Sequence, residues 1–362
     1  DFGFPIDAKK VNAIFSLKLD MYVYVASWTT TPWTVPGNVA LTVNGGFDYC
    51  LIQVKKDSKE YGLLIGKDLI ERTLERIDVK NFKVLGICKG TELEGLEAKH
   101  PYLDRPSKFV LGDHVTTDVG TGIVHTAPGH GLEDYIMAQE YDLEVLSPVK
   151  NNGTFNSDEE HVGGLFAFKA NENIIEVLNK EGTLFGTADY EHSYPHCWRH
   201  KTPLMFRATP QWFISMDQGS LLVNSTEVIK DINWEPSWGE TRMSSMLNRP
   251  DWCISRQRAW GVPIPLLVHK ETRELHPDTD QLIEEIAKKI EEQGIELWYE
   301  IELEQLIEDP LDYEKVTDIL DVWFDSGVTH ACVLHDEDLQ FPADLYLEGS
   351  DQHRGWFQSS LL

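Results

Sequence analysis

The chain has 362 residues, enough for two or three domains with separate cores, and its 41% hydrophobic and 25% charged residues are typical of soluble globular proteins. No run of about 18 apolar residues and no signal-peptide pattern is present, so we expect neither a membrane span nor membrane binding. The net charge of −28 argues against non-specific attraction to nucleic acid, although uneven charge leaves room for a specific nucleic-acid partner.

The first half of the chain is rich in strand patterns. MYVYVASW, VALTV and YCLIQV read as strands separated by Pro- and Gly-containing turns, and LLIGKDLIERTLER has helical spacing. FKVLGICKG and GTGIVHTAP read as strands, and HGLEDYIMAQEYDL reads as a helix with acids in its first turn. Residues 1–195 therefore predict a compact, β-rich α+β domain.

The composition changes after residue 195. MFRATPQWFISM is strand-like. An acidic amphipathic helix is predicted next, with one apolar face made by Leu282, Ile283, Ile286 and Ile290. DLYLEGSDQHRGWFQSSLL predicts a short buried strand at 345–347, a polar turn and a helix, which is the kind of edge at which open α/β sheets bind ligands. The chain stops as that helix begins, so we expect only part of this sheet to be present.

Generic catalytic motifs do not fit this sequence. GTGIVH has two glycines of the dinucleotide fingerprint but His125 in place of the third, and neither a P-loop, a G-x-S-x-G elbow nor an H-E-x-x-H zinc motif occurs. His125, His130 and Asp134 could be metal ligands from a strand end, a loop and a helix start. A histidine in an apolar strand is more often a satisfied core residue, so we predict no metal here.

The five cysteines are scattered, odd in number and never spaced as C-x-x-C. They predict neither a disulfide framework nor a four-cysteine zinc site, and they favour a reducing cytoplasm. The nearest approach to a zinc motif is His196-Cys197-x-x-His200, for which the sequence offers no second ligand pair.

Two polar segments remain as functional candidates. The first is SWTTTPWTVPGN at 27–38, and the second is HTAPGHGLED, which begins at His125. Threonine is common in strands, so the threonine row alone reads as a strand that ends in a turn. Asp134 alone could be an ordinary acid at a helix N-terminus.

These segments resemble the two signature segments of the editing domain of isoleucyl-tRNA synthetases, a class I aminoacyl-tRNA synthetase family. YPHCWRHKTPL, WCISRQRAWGVPIP, DVWFDSG and DLYLEGSDQHRGWF resemble later motifs of the same family, in the same order. The six matches span residues 28–357. Valyl and leucyl enzymes usually have a T-R-P-x-T type segment where this chain has TTTPWT, so the isoleucyl family is preferred.

The resemblance implies a fold of several domains. It places a β-rich editing domain, the connective-peptide insertion, at 1–195, return strands to the catalytic core at 196–246, a second smaller insertion at 247–317, and the start of the second Rossmann half at 318–362. The HIGH and KMSKS segments that hold ATP are absent from these residues. We therefore expect an internal piece with only part of the Rossmann sheet, which forms no aminoacyl-adenylate by itself.

The resemblance also implies roles in hydrolysing a mischarged aminoacyl-tRNA. Asp134 would bind the substrate's α-ammonium group, because an unpaired buried cation is costly. His125 would be a steric wall and polar contact that excludes one methylene group. Thr30 and Thr31, within the row Thr29–Thr31, would position water and stabilise the oxyanion together with backbone N–H groups.

No residue of this set has the adjacent base that a nucleophile needs, so direct attack by water is preferred, helped by the terminal ribose hydroxyl. Trp33 and Asn38 would line or brace the pocket, although Trp33 could equally be core filler and Asn38 a turn residue.

A second set of residues resembles the synthetic site. Asp351 and Gln352 would reach the ammonium group or ribose of an aminoacyl-adenylate, and Gly349 would allow close backbone approach. Glu348 belongs to the same segment, and Trp323 resembles a residue of the synthetic pocket.

The full-length enzyme would attach isoleucine to its tRNA with ATP and Mg²⁺, while editing would need no cofactor. The implied partners are tRNA(Ile), isoleucine and valine, and we expect a cytoplasmic monomer. An inert tRNA-binding module and a valyl-type enzyme that edits threonine remain as alternatives.

Overall fold

The computed structural model describes residues 1–56, 59–247, 251–335 and 338–362. The chain divides into two compact units, Asp1–Thr209 and Pro210–Leu362. Their mixture of sheets and helices is that of an α/β protein. The division into 1–195, 196–246, 247–317 and 318–362 is finer than this and stays a prediction.

The first unit is built mainly from strands. Its described strands are β1 (Phe2–Ile6), β2 (Val23–Ser27), β3 (Ala40–Val43), β4 (Asp48–Lys56), β5 (Lys59–Gly66), β6 (Phe82–Lys89), β7 (Glu97–Lys99), β8 (Pro106–Leu111) and β9 (Ile123–Thr126). Its described α-helices are α1 (Ala8–Phe15), α2 (Ile70–Arg76), α3 (Leu132–Tyr141) and α4 (Asn171–Lys180). The strands predicted near 23–56, 82–89 and 123–126 and the helix near 132–141 are thereby confirmed.

The strands form two sheets. One has the order β1-β2-β5-β4-β6 and is antiparallel except between β2 and β5. The other has the order β7-β8-β3-β9 and is antiparallel except between β3 and β8. The Ser27 hydroxyl donates to the Ile123 carbonyl at 3.1 Å, so the end of β2 lies against the start of β9.

Both faces of the five-stranded sheet are covered. In β4, Tyr49 and Leu51 belong to a core shared with residues of both sheets, whereas Cys50 and Ile52 face a second core that includes Leu74 of α2. A strand buried on both sides has no polar face, which is why YCLIQV is almost continuously apolar.

One predicted helix begins later than its sequence pattern indicates. Residues 59–66 form β5, and helix α2 begins only at Ile70 after a short 3-10 turn. Leu63, Leu64 and Ile65 are fully buried between β2 and β4, so tertiary pairing overrides the helical spacing of this segment.

The second unit is mainly helical with short strand pairs. Its described helices are α5 (Leu221–Asp231), α6 (Trp238–Leu247), α7 (Thr279–Gln293), α8 (Leu297–Glu300), α9 (Val322–Gly327), α10 (Thr329–Cys332) and α11 (Trp356–Leu361). Its described strands are β10 (Phe213–Ile214), β11 (Trp252–Cys253), β12 (Ser255–Arg256), β13 (Leu267–His269), β14 (Tyr313–Lys315) and β15 (Ile319–Leu320). The amphipathic helix is confirmed as α7, whose Leu282 and Ile286 pack with Trp298.

The predicted buried strand at 345–347 is wrong. Leu345 is 77% exposed and Leu347 is 84% exposed, and the segment is irregular. No strand of the described residues pairs with it, and apolar residues without a pairing partner cannot form a buried strand. The helix predicted after it is present as α11. None of the described helices is long and apolar enough to cross a membrane.

The core of the first unit sets its stability. Leu41 is fully buried in β3, directly opposite His125 of β9. We expect Leu41→Ala to lower the free energy of unfolding by about 2–5 kcal/mol, because it leaves a cavity in a packed interior. Urea denaturation followed by circular dichroism measures the change. Leu132→Ala, at a 67% exposed residue, should change it by less than about 0.5 kcal/mol. Equal effects of the two substitutions would contradict this account of the core.

Candidate functional site

The threonine row lies just beyond the end of a strand. Strand β2 ends at Ser27, and Thr29–Thr31 are irregular and half-buried, so they follow the strand and are not part of it. The Thr31 N–H donates to Thr29 Oγ1 at 3.1 Å, and the two hydroxyl oxygens are 3.3 Å apart. Thr29 and Thr31 therefore hold each other, whereas the Thr30 hydroxyl has no hydrogen-bond partner among the described residues.

A 3-10 helix over Pro32–Gly37 follows the threonines in the chain and contacts His125. Its Thr34 hydroxyl lies 2.9 Å from His125 Nε2 and donates to the Thr31 carbonyl at 3.0 Å. Sequence reasoning noted Thr34 within the first segment but gave it no role. Thr34 lies three residues after Thr31, which is one turn of a 3-10 helix, and this spacing could have indicated that the two residues are neighbours.

His125 is held at both ring nitrogens. Nε2 faces Thr34, and Nδ1 lies 3.4 Å from Asn38 Nδ2. The side chain is buried, and desolvation lowers the pKa of His125 from 6.5 to about 4, with the charge of His130 acting in the same direction. His125 is therefore neutral near pH 7.

Asp134 reaches the same segment from the first turn of α3. Its Oδ2 accepts from the Ala127 N–H at 2.9 Å, two residues beyond His125. A Cβ on Gly131 would lie 2.9 Å from that oxygen, so the missing side chain of Gly131 is what allows this approach. Burial raises the pKa of Asp134 above 3.8, while the Ala127 hydrogen bond and the charge of His114 oppose the rise.

Trp33 and Asn38 are buried residues behind the threonines. The Trp33 ring packs edge-on to His130 and Phe168 at centroid distances of 4.8 and 5.6 Å. Asn38 is fully buried, and its amide lies next to His125. Both contacts fit the predicted bracing role, which stays a prediction.

A brace from the segment 100–107 fixes the backbone of the 3-10 helix, and sequence reasoning did not find it. His100 Nε2 bonds to the Val35 carbonyl at 2.9 Å, and the Arg105 guanidinium donates to the Pro36 carbonyl. Ser107 donates to the Asn38 side chain at 2.6 Å. These contacts join residues about 70 apart in the chain, so no local pattern indicates them.

The predicted synthetic-site residues lie in the second unit. Glu348 and Gly349 line a cavity of about 580 Å³ together with Trp234 and His353, whereas Trp323 lines a separate cavity of about 190 Å³. The segment containing Glu348, Gly349 and Asp351 is exposed. Gln352 donates to Asp351 at 3.2 Å and accepts from the Trp356 N–H at 3.1 Å.

The candidate metal ligands do not form a cluster. Over the described ranges, no three His, Cys, Asp or Glu side chains are grouped as a metal site requires. Cys197 Sγ lies 3.5 Å from His200 Nδ1, and no third His, Cys, Asp or Glu of the described residues completes a metal site with them. All five cysteines are free thiols.

Comparison with known proteins shows the family. The profile of class I tRNA synthetases (I, L, M and V) matches residues 50–362, which is most of the chain. The chain belongs to this family. The matched residues include the second polar segment, which begins at His125, and the LEGSDQ segment at 347–352.

Individual members of the family that are similar to this chain are isoleucine–tRNA ligases, which confirms the resemblance noted in the sequence. Those of Idiomarina loihiensis and Methylococcus capsulatus are 53% and 56% identical over 94% and 93% of this chain. That of Coxiella burnetii is 51% identical over all of it. The chain spans 36–39% of the length of these relatives.

The depressed pKa of His125 makes stability depend on pH. In the unfolded chain, the His125 imidazole takes up a proton below about pH 6.5. In the folded chain, the same imidazole is buried and takes up a proton only near pH 4. Between these pH values the unfolded state binds more protons than the folded state. The contribution of neutral His125 to the free energy of unfolding is therefore complete above pH 6.5 and is lost as the pH falls from about 6.5 to about 4. Its size is about 3 kcal/mol.

Urea denaturation across this pH range, for the unmodified chain and His125→Asn, measures the contribution. The difference between the two curves should shrink towards pH 4. Replacing His192 by Asn is the matched control for the substitution itself, because that side chain is exposed. A difference for His125→Asn that is constant between pH 4 and 7 would contradict a buried neutral imidazole.

Proposed function

We propose that the first unit is the editing site of an isoleucine–tRNA ligase and that it hydrolyses valyl-tRNA(Ile). The observation that carries the proposal is the convergence of the threonine row, His125 and Asp134 at the end of β9. The identity of 50–56% to isoleucine–tRNA ligases supports this amino acid over valine or leucine.

The need for editing follows from the energy of one methylene group. The binding free energy of one methylene group in an apolar pocket is about 1–3 kcal/mol. The general example of this limit is isoleucyl-tRNA synthetase, which must choose between isoleucine and valine, so the value is not a result of this structure. Binding alone therefore leaves valine attached too often, and a second site must remove it.

Asp134 is the anchor for the α-ammonium group of the substrate. The Ala127 N–H occupies part of its Oδ2, which leaves acceptor capacity on the carboxylate for a cation. Desolvation of Asp134 strengthens its attraction to a positive charge, because a counter-ion relieves the cost of burial.

Water attacks the ester carbonyl, with no covalent intermediate and no metal. Thr30 presents a hydroxyl that has no hydrogen-bond partner among the described residues, and Thr31 and the backbone N–H groups beside it supply further polar contacts for the water and the oxyanion. The free hydroxyl of the terminal ribose assists the attack.

His125 acts as a wall that sets selectivity, and it is not a general base. Both ring nitrogens are occupied by protein atoms, and its pKa of about 4 makes it a weak base near pH 7. A rigid, neutral ring excludes the extra methylene of isoleucine by contact.

In the full-length enzyme, ATP and Mg²⁺ would serve adenylate formation. Glu348 and Asp351 offer carboxylates and Gln352 an amide, groups that fit an ammonium group or ribose hydroxyls rather than a triphosphate. These three residues, with Gly349 and Trp323, are proposed to bind the aminoacyl part and ribose of the adenylate. We further propose that residues 318–362 begin the second half of a Rossmann fold that carries the editing domain as an insertion, in a cytoplasmic monomer that charges tRNA(Ile).

Removing the carboxylate of Asp134 tests the ammonium anchor. We expect Asp134→Ala to slow hydrolysis of Val-tRNA(Ile) by roughly 10- to 100-fold, because a hydrogen bond to a charged group contributes about 1.5–3 kcal/mol. Release of radiolabelled valine from charged tRNA measures the rate. Glu133→Ala is the matched control, since Glu133 is an exposed acid in the same helical turn. Unchanged hydrolysis in Asp134→Ala would remove the anchor from the mechanism.

Shortening His125 tests the selectivity wall. We expect His125→Ala to hydrolyse Ile-tRNA(Ile) at least roughly tenfold faster than the unmodified chain does, because the excluded methylene then has space. The same assay with Val-, Thr- and Ile-charged tRNA measures it. Preference for Thr-tRNA by the unmodified chain would favour a valyl-type enzyme, and no hydrolysis of any substrate would favour an inert tRNA-binding module.

A further inference from the structure

The 3-10 helix that follows the threonine row is not capped by its own first residue. Thr31 stands at the N-cap position, where a threonine hydroxyl ordinarily accepts a hydrogen bond from an N–H of the first turn. Here the Thr31 side chain accepts none, and its hydroxyl lies 3.3 Å from that of Thr29 instead. Pro32 has no N–H, so Trp33 carries the first N–H of the helix that needs an acceptor.

Asn171, which lies 138 residues further along the chain, supplies that acceptor. Its Oδ1 accepts from the Trp33 N–H at 2.9 Å, and no other acceptor among the described residues receives this N–H. The bond fixes the orientation of the Asn171 amide, because a flipped amide would place two donors against each other. Trp33 is 3% exposed, so bulk water does not substitute for Asn171.

The packing around Asn171 holds it in place. Asn171 is the first residue of α4, and Ala167 and Ala170 just before it are fully buried in the core of the first unit. Phe168 of the same segment packs edge-on to the Trp33 ring at 5.6 Å. The start of α4 therefore contacts Trp33 both at its ring and at its backbone N–H.

Few polar contacts connect the first turn of the 3-10 helix to other elements. Among the described residues they are the contact between Thr34 and His125 and the bond from Asn171. The bonds between Thr34 and Thr31 lie within the turn itself. The brace from the segment 100–107 reaches only residues 35–38, so it does not replace Asn171.

We propose that Asn171 is a positioning residue for editing: it caps the 3-10 helix in place of Thr31 and thereby leaves the Thr31 hydroxyl to the hydrolytic site. In this role Asn171 touches no substrate and acts only through the Trp33 N–H. The consequence for hydrolysis rests on the proposed function, whereas the cap itself does not.

The reason for the effect is competition for one acceptor. Without Asn171 Oδ1, the Trp33 N–H is a buried donor without an acceptor, and such a group is costly. The side-chain acceptor at the N-cap position is Thr31 Oγ1, and turning this hydroxyl towards its own helix relieves the cost. The hydroxyl is then no longer available to the water or the oxyanion, so loss of Asn171 acts on editing through Thr31.

Hydrogen exchange of the Trp33 amide, followed by NMR, tests the cap. Thr31→Ala should leave this exchange slow, because Asn171 is the acceptor. In the Thr31→Ala background no hydroxyl can substitute, and Asn171→Ala should accelerate the exchange by roughly 10- to 100-fold. Asn171→Asp, which keeps an acceptor oxygen, should leave the exchange slow.

Asn173→Ala in the same background is the matched control, since Asn173 is an exposed asparagine of the same helix. Amides of the central strand β4 report unfolding of the whole unit and should stay slow in every variant. Rapid exchange in Thr31→Ala alone would overturn the cap, as would slow exchange of Trp33 after both residues are replaced.

Hydrolysis of Val-tRNA(Ile) tests the consequence for editing. Asn171→Ala should lower kcat by about tenfold with little change in KM, because the residue touches no substrate. Asn171→Asp should recover the rate, which a loss of packing alone would not explain. Asn171→Ala combined with Thr31→Ala should be no slower than Thr31→Ala alone, because the effect acts through that hydroxyl.

Additive losses in the double variant, or an unchanged rate in Asn171→Ala, would overturn the positioning role. If the unmodified chain does not hydrolyse Val-tRNA(Ile), the proposed function fails, and the exchange of the Trp33 amide still decides whether Asn171 caps the helix.

Discussion

The burial of the His125 imidazole is the constraint on which the architecture of the first unit depends. A ring taken out of water disfavours its charged form and needs partners for both nitrogens. Thr34, within one short 3-10 helix, and Asn38, the residue directly after that helix, supply them. Residues of the segment 100–107 hold this 3-10 helix in turn. Hydrogen bonds therefore connect His125, the 3-10 helix and β8 within an apolar core.

Two different contacts bring the proposed site residues of the first unit together. The contact between β2 and β9 sets the threonine row beside the end of the strand that carries His125. Asp134 arrives on a separate helix, and it reaches the strand end because Gly131 has no side chain. A carboxylate, hydroxyls and a neutral ring then lie close together, and the proposed attack by water depends on this set.

Much of this was readable from the sequence. Helix α7 follows from the spacing of Leu282, Ile286 and Ile290, and the strands around 40–56 follow from their apolar runs and the turns between them. The predictions failed where strand pairing decides the structure. Residues 63–66 form a strand because β2 and β4 pair with them, and residues 345–347 are irregular because none of the described strands pairs with them. Ser107, Arg105 and His100 gave no sequence signal, since each contacts a segment about 70 residues away.

The sequence by itself determined the family, the two polar segments and the residue types that an editing reaction requires, because these are local and ordered along the chain. Only the tertiary structure decided which threonine hydroxyl has no partner within the described part of the chain, that His125 is neutral and held at both nitrogens, and which residues hold it there. Protonation, tautomer and side-chain direction depend on desolvation and on hydrogen bonds between distant residues, and these exist only once the sheets have packed.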